Sequence, residues 1–116
     1  MPTKPTDSIL SSTKILLGVD PEYKAFDLEL VMLINSALFS LYQIGVGEEP
    51  YTVADESNTW TDFLGVDTRL DVVKALIYKK VSLTWDPPSV GFVLEAIKAS
   101  IAEDEWRINI EAERSR

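Results

Sequence analysis

Trp85-Asp86-Pro87-Pro88 decides how this 116-residue chain folds. Two successive prolines cannot sit inside a helix. Each lacks a backbone donor, and each drives the residue before it toward extended geometry. A helical pattern running in from about Leu70 must therefore stop near Trp85, and a second, from about Val90 to Ala112, must start afresh. Because Pro88 disfavours helical geometry at Pro87, Ser89 is the expected cap of the outgoing helix, its hydroxyl accepting a backbone N–H one turn in. Asp86, Pro87, Pro88 and Ser89 thus form the structural corner of a helical hairpin.

Both arms carry apolar stripes. Leu70, Val73, Leu76, Ile77, Val81 and Trp85 mark one side of the incoming helix. Thr68 is placed to cap it, with Asp71 three residues on, and Asp71 can pair with Lys74 across one turn. Val90, Val93, Leu94, Ile97, Ile101 and Ile108 mark one side of the outgoing helix. Glu95 with Lys98, Glu103 with Arg107 and Glu111 with Arg114 are spaced as surface pairs. Trp106 and Ile110 fall partly off the stripe, so they either cover the core edge or face a partner. Glu103-Asp104-Glu105 suggests an acid–base cluster, but consecutive helical positions point about 100° apart and diverge, which favours a charged surface.

Upstream, a short first helix fits about Asp7 to Leu17, with Thr6 or Asp7 as cap and Gly18 as a left-handed stop. Asp20-Pro21-Glu22 turns the chain. A second helix runs from about Lys24 or Phe26 to Ile44, and Leu30-Val31-Met32-Leu33-Ile34 makes it apolar around nearly its whole circumference. A membrane span needs roughly 20 mainly apolar residues, and Glu29, Asn35, Ser36, Ser40 and Gln43 interrupt this one. Two readings remain: a central core helix, or a helix with one face in its own domain and another against a neighbouring subunit. From Gly45 to Thr59 the pattern is lost. Tyr51-Thr52-Val53 is a candidate extended piece, and Asp55-Glu56-Ser57-Asn58 is turn chemistry. Glu48, Glu49, Asp55 and Glu56 lack the spacing of a calcium loop and read as a solvated acidic loop. Thr59 or Thr61 caps a single turn, Trp60 to Leu64, closed by Gly65, with Trp60 and Phe63 pinning the loop to the bundle. The expected fold is all-α: a small four-helix bundle-like domain over residues 7–113, with a long irregular loop between its second and third helices. Residues 1–6 are expected to be a flexible N-terminal arm, since they read without the apolar stretch of a leader, and 114–116 are expected to be a tail.

Composition narrows function further. The chain has no cysteine and no histidine, which removes disulfides, thiolate metal sites, the commonest general base and the commonest transition-metal ligand. At a net charge of −8, with Lys79-Lys80 its only adjacent basic pair, it lacks the basic stripe that grips phosphates; that pair reads as a solvated face. No glycine-rich phosphate loop, metal-ligand spacing or repeat is present. No cofactor, metal or catalytic residue is expected, and the chain is not expected to be an enzyme.

Several segments in order resemble the tailed-phage head–tail connector (adaptor) family, found in siphophages of Gram-positive bacteria among others. They are Ile15-Leu16-Leu17-Gly18-Val19 before an acidic turn, Ala25-Phe26-Asp27, Ile34-Asn35-Ser36, Gln43-Ile44-Gly45-Val46-Gly47, Asp86-Pro87-Pro88-Ser89, Phe92-Val93-Leu94-Glu95-Ala96 and Glu105-Trp106-Arg107-Ile108-Asn109. The similarity spans about Asp7 to Glu113. It rests on order and spacing rather than on a catalytic motif, and the Gly45–Thr59 loop carries little of it.

The resemblance implies a structural virion protein, assembled in the host cytoplasm and sited at the head–tail interface. It implies a homo-oligomeric ring, commonly twelve-fold, docked beneath the portal protein. Free subunits of this type are expected to be monomeric and to assemble on the portal. The ring would extend the DNA channel and present a platform for the next neck or head-completion protein. DNA would pass without specific binding, and no membrane is involved. Head-to-tail contacts that close by rotation make rings, and surplus apolar surface at Phe39, Leu41 or Tyr42 could supply one subunit face. Trp106, Arg107, Ile110, Glu111, Arg114 and Arg116 are the expected contact with the portal or an adjacent subunit. Glu48, Glu49, Asp55 and Glu56 are expected to face the channel or the next neck ring. The competing reading is a small helical regulator or scaffold that binds one protein partner without forming a ring.

Overall fold

Ser8 opens the first helix of the computed structural model, which describes residues 7–47, 49–65 and 70–114, the side chains of Leu70 and of 112–114 excepted. Its hydroxyl oxygen accepts from the Ser11 N–H at 3.2 Å, so α1 runs Ile9–Leu17. The expected cap Asp7 does something else. Its carbonyl takes the Trp60 N–H at 2.9 Å and its carboxylate takes the Thr61 hydroxyl. The other expected cap, Thr6, lies outside the described residues, as do the rest of the 1–6 arm, Glu48, Thr68, Arg116 and the Glu111–Arg114 pairing.

Gly18 ends α1 at φ 80°, a left-handed conformation that glycine adopts without a Cβ clash. The Asp20–Tyr23 turn follows, closed by the Tyr23 N–H on the Asp20 carbonyl at 2.9 Å. Helix α2 spans Asp27–Gln43. No side chain caps it, but Asp27 and Glu29 place negative charge in its first turn, where free N–H groups favour it. Thr59 caps α3 (Trp60–Leu64) through the Asp62 N–H at 3.0 Å, and Gly65 closes that single turn. Helix α4 spans Leu70–Trp85 and α5 spans Gly91–Arg114. The architecture is all-α, and no strand occurs among the described residues. Tyr51-Thr52-Val53 therefore does not pair as a strand. The Asn35 side chain occupies the place of a strand partner: its amide donates to the Val53 carbonyl at 3.0 Å and its oxygen accepts the Val53 N–H at 2.7 Å.

The double-proline corner holds as read, with one correction. The last turn of α4 extends through the Asp86 N–H on the Ser82 carbonyl at 2.8 Å. The outgoing helix, however, begins past Ser89. Val93 and Leu94 both donate to the Val90 carbonyl, so Val90 and not Ser89 holds the cap position. With Pro87 and Pro88 both barred from helical donation, the chain takes Ser89 and Val90 to complete the reversal.

Leu30, Ile34, Leu38 and Leu41 of α2 meet Val73, Leu76, Ile77 and Val81 of α4 in one core, to which α1 adds Ile9 and Leu10 and the loops add Val46, Val53 and Trp60. Helix α5 lies on α4 and buries only Ile101 and Ile108 among its described side chains. Half-buried Ile97 packs against the core as well, and polar contacts from α4 add to the hold. Lys79 reaches Ser100 at 2.6 Å and Asp104 at 2.9 Å, and Lys80 reaches Glu105 at 3.1 Å. Lys79-Lys80 is thus a clamp between helices rather than the expected solvated face. Helices α2, α4 and α5 make a layer with α4 in the middle, in a body of 41 × 40 × 19 Å. No helix among the described residues is long and apolar enough to cross a membrane.

Candidate functional site

The described residues gather no reactive constellation into a cleft. An open depression of about 490 Å³ is lined by Gly18, Val19, Asp20, Glu22, Tyr23 and Phe26. Its lining offers carboxylates and a phenol but no lysine or arginine, and an Asp20 oxygen is already taken by the Glu22 N–H at 2.9 Å. No group of three or more acidic side chains among the described residues is placed to hold a metal ion. The functional features are surfaces, and the chain positions them by four devices.

The first is a buried lysine. Lys14 is 1% exposed on α1. Its ammonium donates to the carbonyls of Tyr23 at 2.8 Å and Pro21 at 3.2 Å and pairs with the Asp27 carboxylate at the start of α2. A buried ammonium is stable only when such partners replace its water. This one locks the α1–α2 connection and seats Phe26, whose ring meets Trp85 edge-on at 5.0 Å and so ties the start of α2 to the end of α4.

The second device fixes the long loop. Besides Asn35 on Val53, an isolated antiparallel bridge joins Ser8 to Thr59. The indole of Trp60 donates to Ser12 at 2.9 Å, and Phe63 stacks on Tyr51 at 5.3 Å, so both aromatics pin the loop as read from the sequence. Lys74 lies 5.6 Å from the Trp60 ring centroid. This cation–π contact takes the place of the expected Asp71–Lys74 pair.

The third is the allocation of charge. Lys14, Lys24, Lys79, Lys80, Lys98 and Arg107 all pair with carboxylates, and Lys74 sits on Trp60. Among the described residues no lysine or arginine pairs with Glu29, Glu49, Asp55, Asp71 or Asp86. Among the described residues the charge left over after this pairing is therefore carboxylate. Of the expected loop acids, Glu49 and Asp55 are exposed, while Glu56 is engaged by Lys24. Hydrogen bonds from the Ser57 hydroxyl and N–H hold the Asp55 carboxyl below its ordinary range, and the bond to Glu56 raises Lys24. The run Glu103-Asp104-Glu105 splits as its geometry requires: Glu103 pairs with Arg107, Asp104 with Lys79, Glu105 with Lys80.

The fourth is apolar surface left uncovered. Phe39 is 52% exposed, and its ring lies 6.3 Å from that of half-buried Tyr42. Leu41 is fully enclosed, so its expected place on a subunit face is withdrawn. It lies three and four residues beyond Leu38 and Ala37 and shares their inward side. On α5, Trp106 is 64% exposed, Arg107 and Glu111 are exposed, and Ile110 is half-buried. Asn109 donates to the Ile44 carbonyl at 3.1 Å, tying the far end of α5 to the end of α2. The Arg114 side chain lies outside the described residues.

A sequence profile of the phage connector protein family matches residues 9–115. The chain belongs to that family. The match covers nearly the whole chain, including the double-proline corner and every helix, so the resemblance drawn from scattered segments extends across the fold. Membership makes this connector a structural component of a phage that interacts with other head and tail proteins. No curated protein and no solved structure matches the chain. Sequence reasoning missed Lys14 and Asn35, the two polar residues that fix the connector's loops. The only signal for either was a polar group within an otherwise apolar helical stretch.

Proposed function

We propose that the connector forms a ring under the portal, extends the DNA channel there and serves as the platform on which the next neck or head-completion protein docks. Membership of the phage connector family over residues 9–115 carries this reading. Two features of the chain support it. Apolar surface on α2 and α5 is left for contacts with other chains. Among the described residues the charge left over after ion pairing is carboxylate, which suits a conduit, because negative walls repel phosphates and keep DNA from adhering.

In this reading residues 7–113 are the ring-forming body. Phe39 and Tyr42 lie at the contact between subunits. Trp106, Arg107, Ile110, Glu111, Arg114 and Arg116 form the end that meets the portal or an adjacent subunit. Glu48, Glu49, Asp55 and Glu56 face the channel or the next neck ring. The test is a reconstruction of the neck from purified virions. Density for this chain as a collar against the portal is the expected result. Virions that lack the protein would overturn the proposal.

A further inference from the structure

The α2–α4–α5 layer has apolar outer edges on both flanks. With helical positions 100° apart, Leu28, Met32 and Phe39 fall on the side of α2 opposite Leu30, Ile34, Leu38 and Leu41. Leu28, Met32 and Phe39 are 77%, 65% and 52% exposed, and Asn35, on that side between Met32 and Phe39, is half-buried by its bonds to Val53. The same construction puts Phe92 and Trp106, 79% and 64% exposed, on the side of α5 opposite Ile101 and Ile108. Between Phe92 and Trp106 that side carries exposed Ala96 and Ala99, low enough to admit longer side chains from outside, and then Glu103, whose charge is met by Arg107.

The two edges also stand at the same height. The start of α2 meets the end of α4 through Phe26 and Trp85, so α2 runs against α4. Lys79 on Ser100 and Asp104, with Lys80 on Glu105, sets α5 against α4 as well. Helices α2 and α5 therefore run the same way, and Asn109 on the Ile44 carbonyl levels their far ends. That register puts Met32 level with Ala99, and Phe39 level with Trp106, to within about one helical turn.

We infer that the α2 edge of one copy packs on the α5 edge of the next, Met32 entering between Phe92 and Trp106. The inference rests on the ring proposed above and names the contact that closes it. Each edge exposes on the order of 400 Å² of apolar side chain, about 800 Å² for the pair. A standard interface of about 1,600 Å² is a little over half apolar, about 900 Å². One edge-to-edge contact thus supplies the apolar area a specific interface needs. Pairing α2 with α2 would cover a similar area but stop at two copies and leave both α5 edges bare. Unlike edges at equal height join copies by rotation without a rise, which gives a closed ring rather than a climbing filament. Phe92 and Trp106 then belong to the contact between copies, and the residues beyond Arg107 are left for the portal.

The chain has no cysteine, so introduced thiols are unique. The experiment places Met32→Cys and Ala99→Cys together in the full chain, purifies phage particles carrying it, and treats them with a short bis-maleimide that tolerates a shift of register. The expected product is a ladder of covalent dimers, trimers and higher multiples, while either single variant stays monomeric. Efficient dimers from Met32→Cys alone would overturn the inference in favour of like edges pairing. A monomeric double variant in particles whose reconstruction shows the collar would overturn the inference and leave the ring standing. Particles without the chain would overturn both.

Discussion

Lys14→Met should unfold this connector at a markedly lower temperature. The substitution keeps most of the side chain's volume and removes its charge. It strands the Pro21 and Tyr23 carbonyls and leaves the Asp27 carboxylate without its cation. Deleting one partner of a buried ion pair costs about 3–5 kcal/mol. The Asp27 side chain keeps 28% exposure, so water restores part of its solvation. The expected loss is therefore about 2–4 kcal/mol. Against a total stability of about 5–15 kcal/mol this is a large fraction. At roughly 4 °C per kcal/mol for a chain of this size, Tm falls by about 8–16 °C. Calorimetry and far-UV circular dichroism measure it. The double variant Lys14→Met with Asp27→Leu removes both charges and should recover to within about 1–2 kcal/mol of the parent. A single variant that loses less than about 1 kcal/mol, or a double variant no better than the single, would refute the claim that this lysine holds the α1–α2 connection.

Three further outcomes are expected. Asn35→Ala removes both hydrogen bonds to Val53 and should cost about 2–3 kcal/mol; limited proteolysis should then cut between Gly45 and Thr59 first, and an unchanged cleavage pattern would count against the anchor. Glu49→Lys with Asp55→Lys reverses two exposed carboxylates that carry no cation. Particles bearing the pair should eject DNA more slowly, with the chain's thermal stability within about 1 kcal/mol of the parent; normal ejection would remove the channel role of the loop. Deleting residues 111–116 should abolish docking onto portal-bearing heads while the helical signal persists, and full docking would exclude that end as the portal contact.

Backbone punctuation was the most legible part of the sequence. The prolines at 87 and 88 set the end of α4 at Trp85, Gly18 stopped α1, and Thr59 with Gly65 bracketed α3, because these residues act on the local chain whatever surrounds them. Side chains whose partners arrive from elsewhere were not legible. Lysine in a helix reads as surface. Lys14 is buried only because a later turn delivers two carbonyls and a carboxylate to it. Lys79 and Lys80 read as solvated because Asp104 and Glu105 lie 25 residues on, across the corner. The Ser89 cap failed by one residue, since the reversal through two prolines uses more chain than the cap rule assumes. Among the candidate surfaces, Phe39 is uncovered as read, and Trp106, left open between the core edge and a partner-facing patch, is exposed. Leu41 was misplaced, although its spacing from Ala37 and Leu38 already pointed inward.

The clasp of Asn35 on Val53 has a practical consequence. It divides one long excursion of the chain into two short spans with separately fixed ends, and lengthening a short span costs little closure entropy. The exposed stretch around Glu49 and Pro50 can therefore accept a grafted epitope or fluorophore tag without disturbing the register of the turn beyond Val53. A label at that position would make each copy visible in the assembled particle while leaving both flanks of the helical layer unaltered.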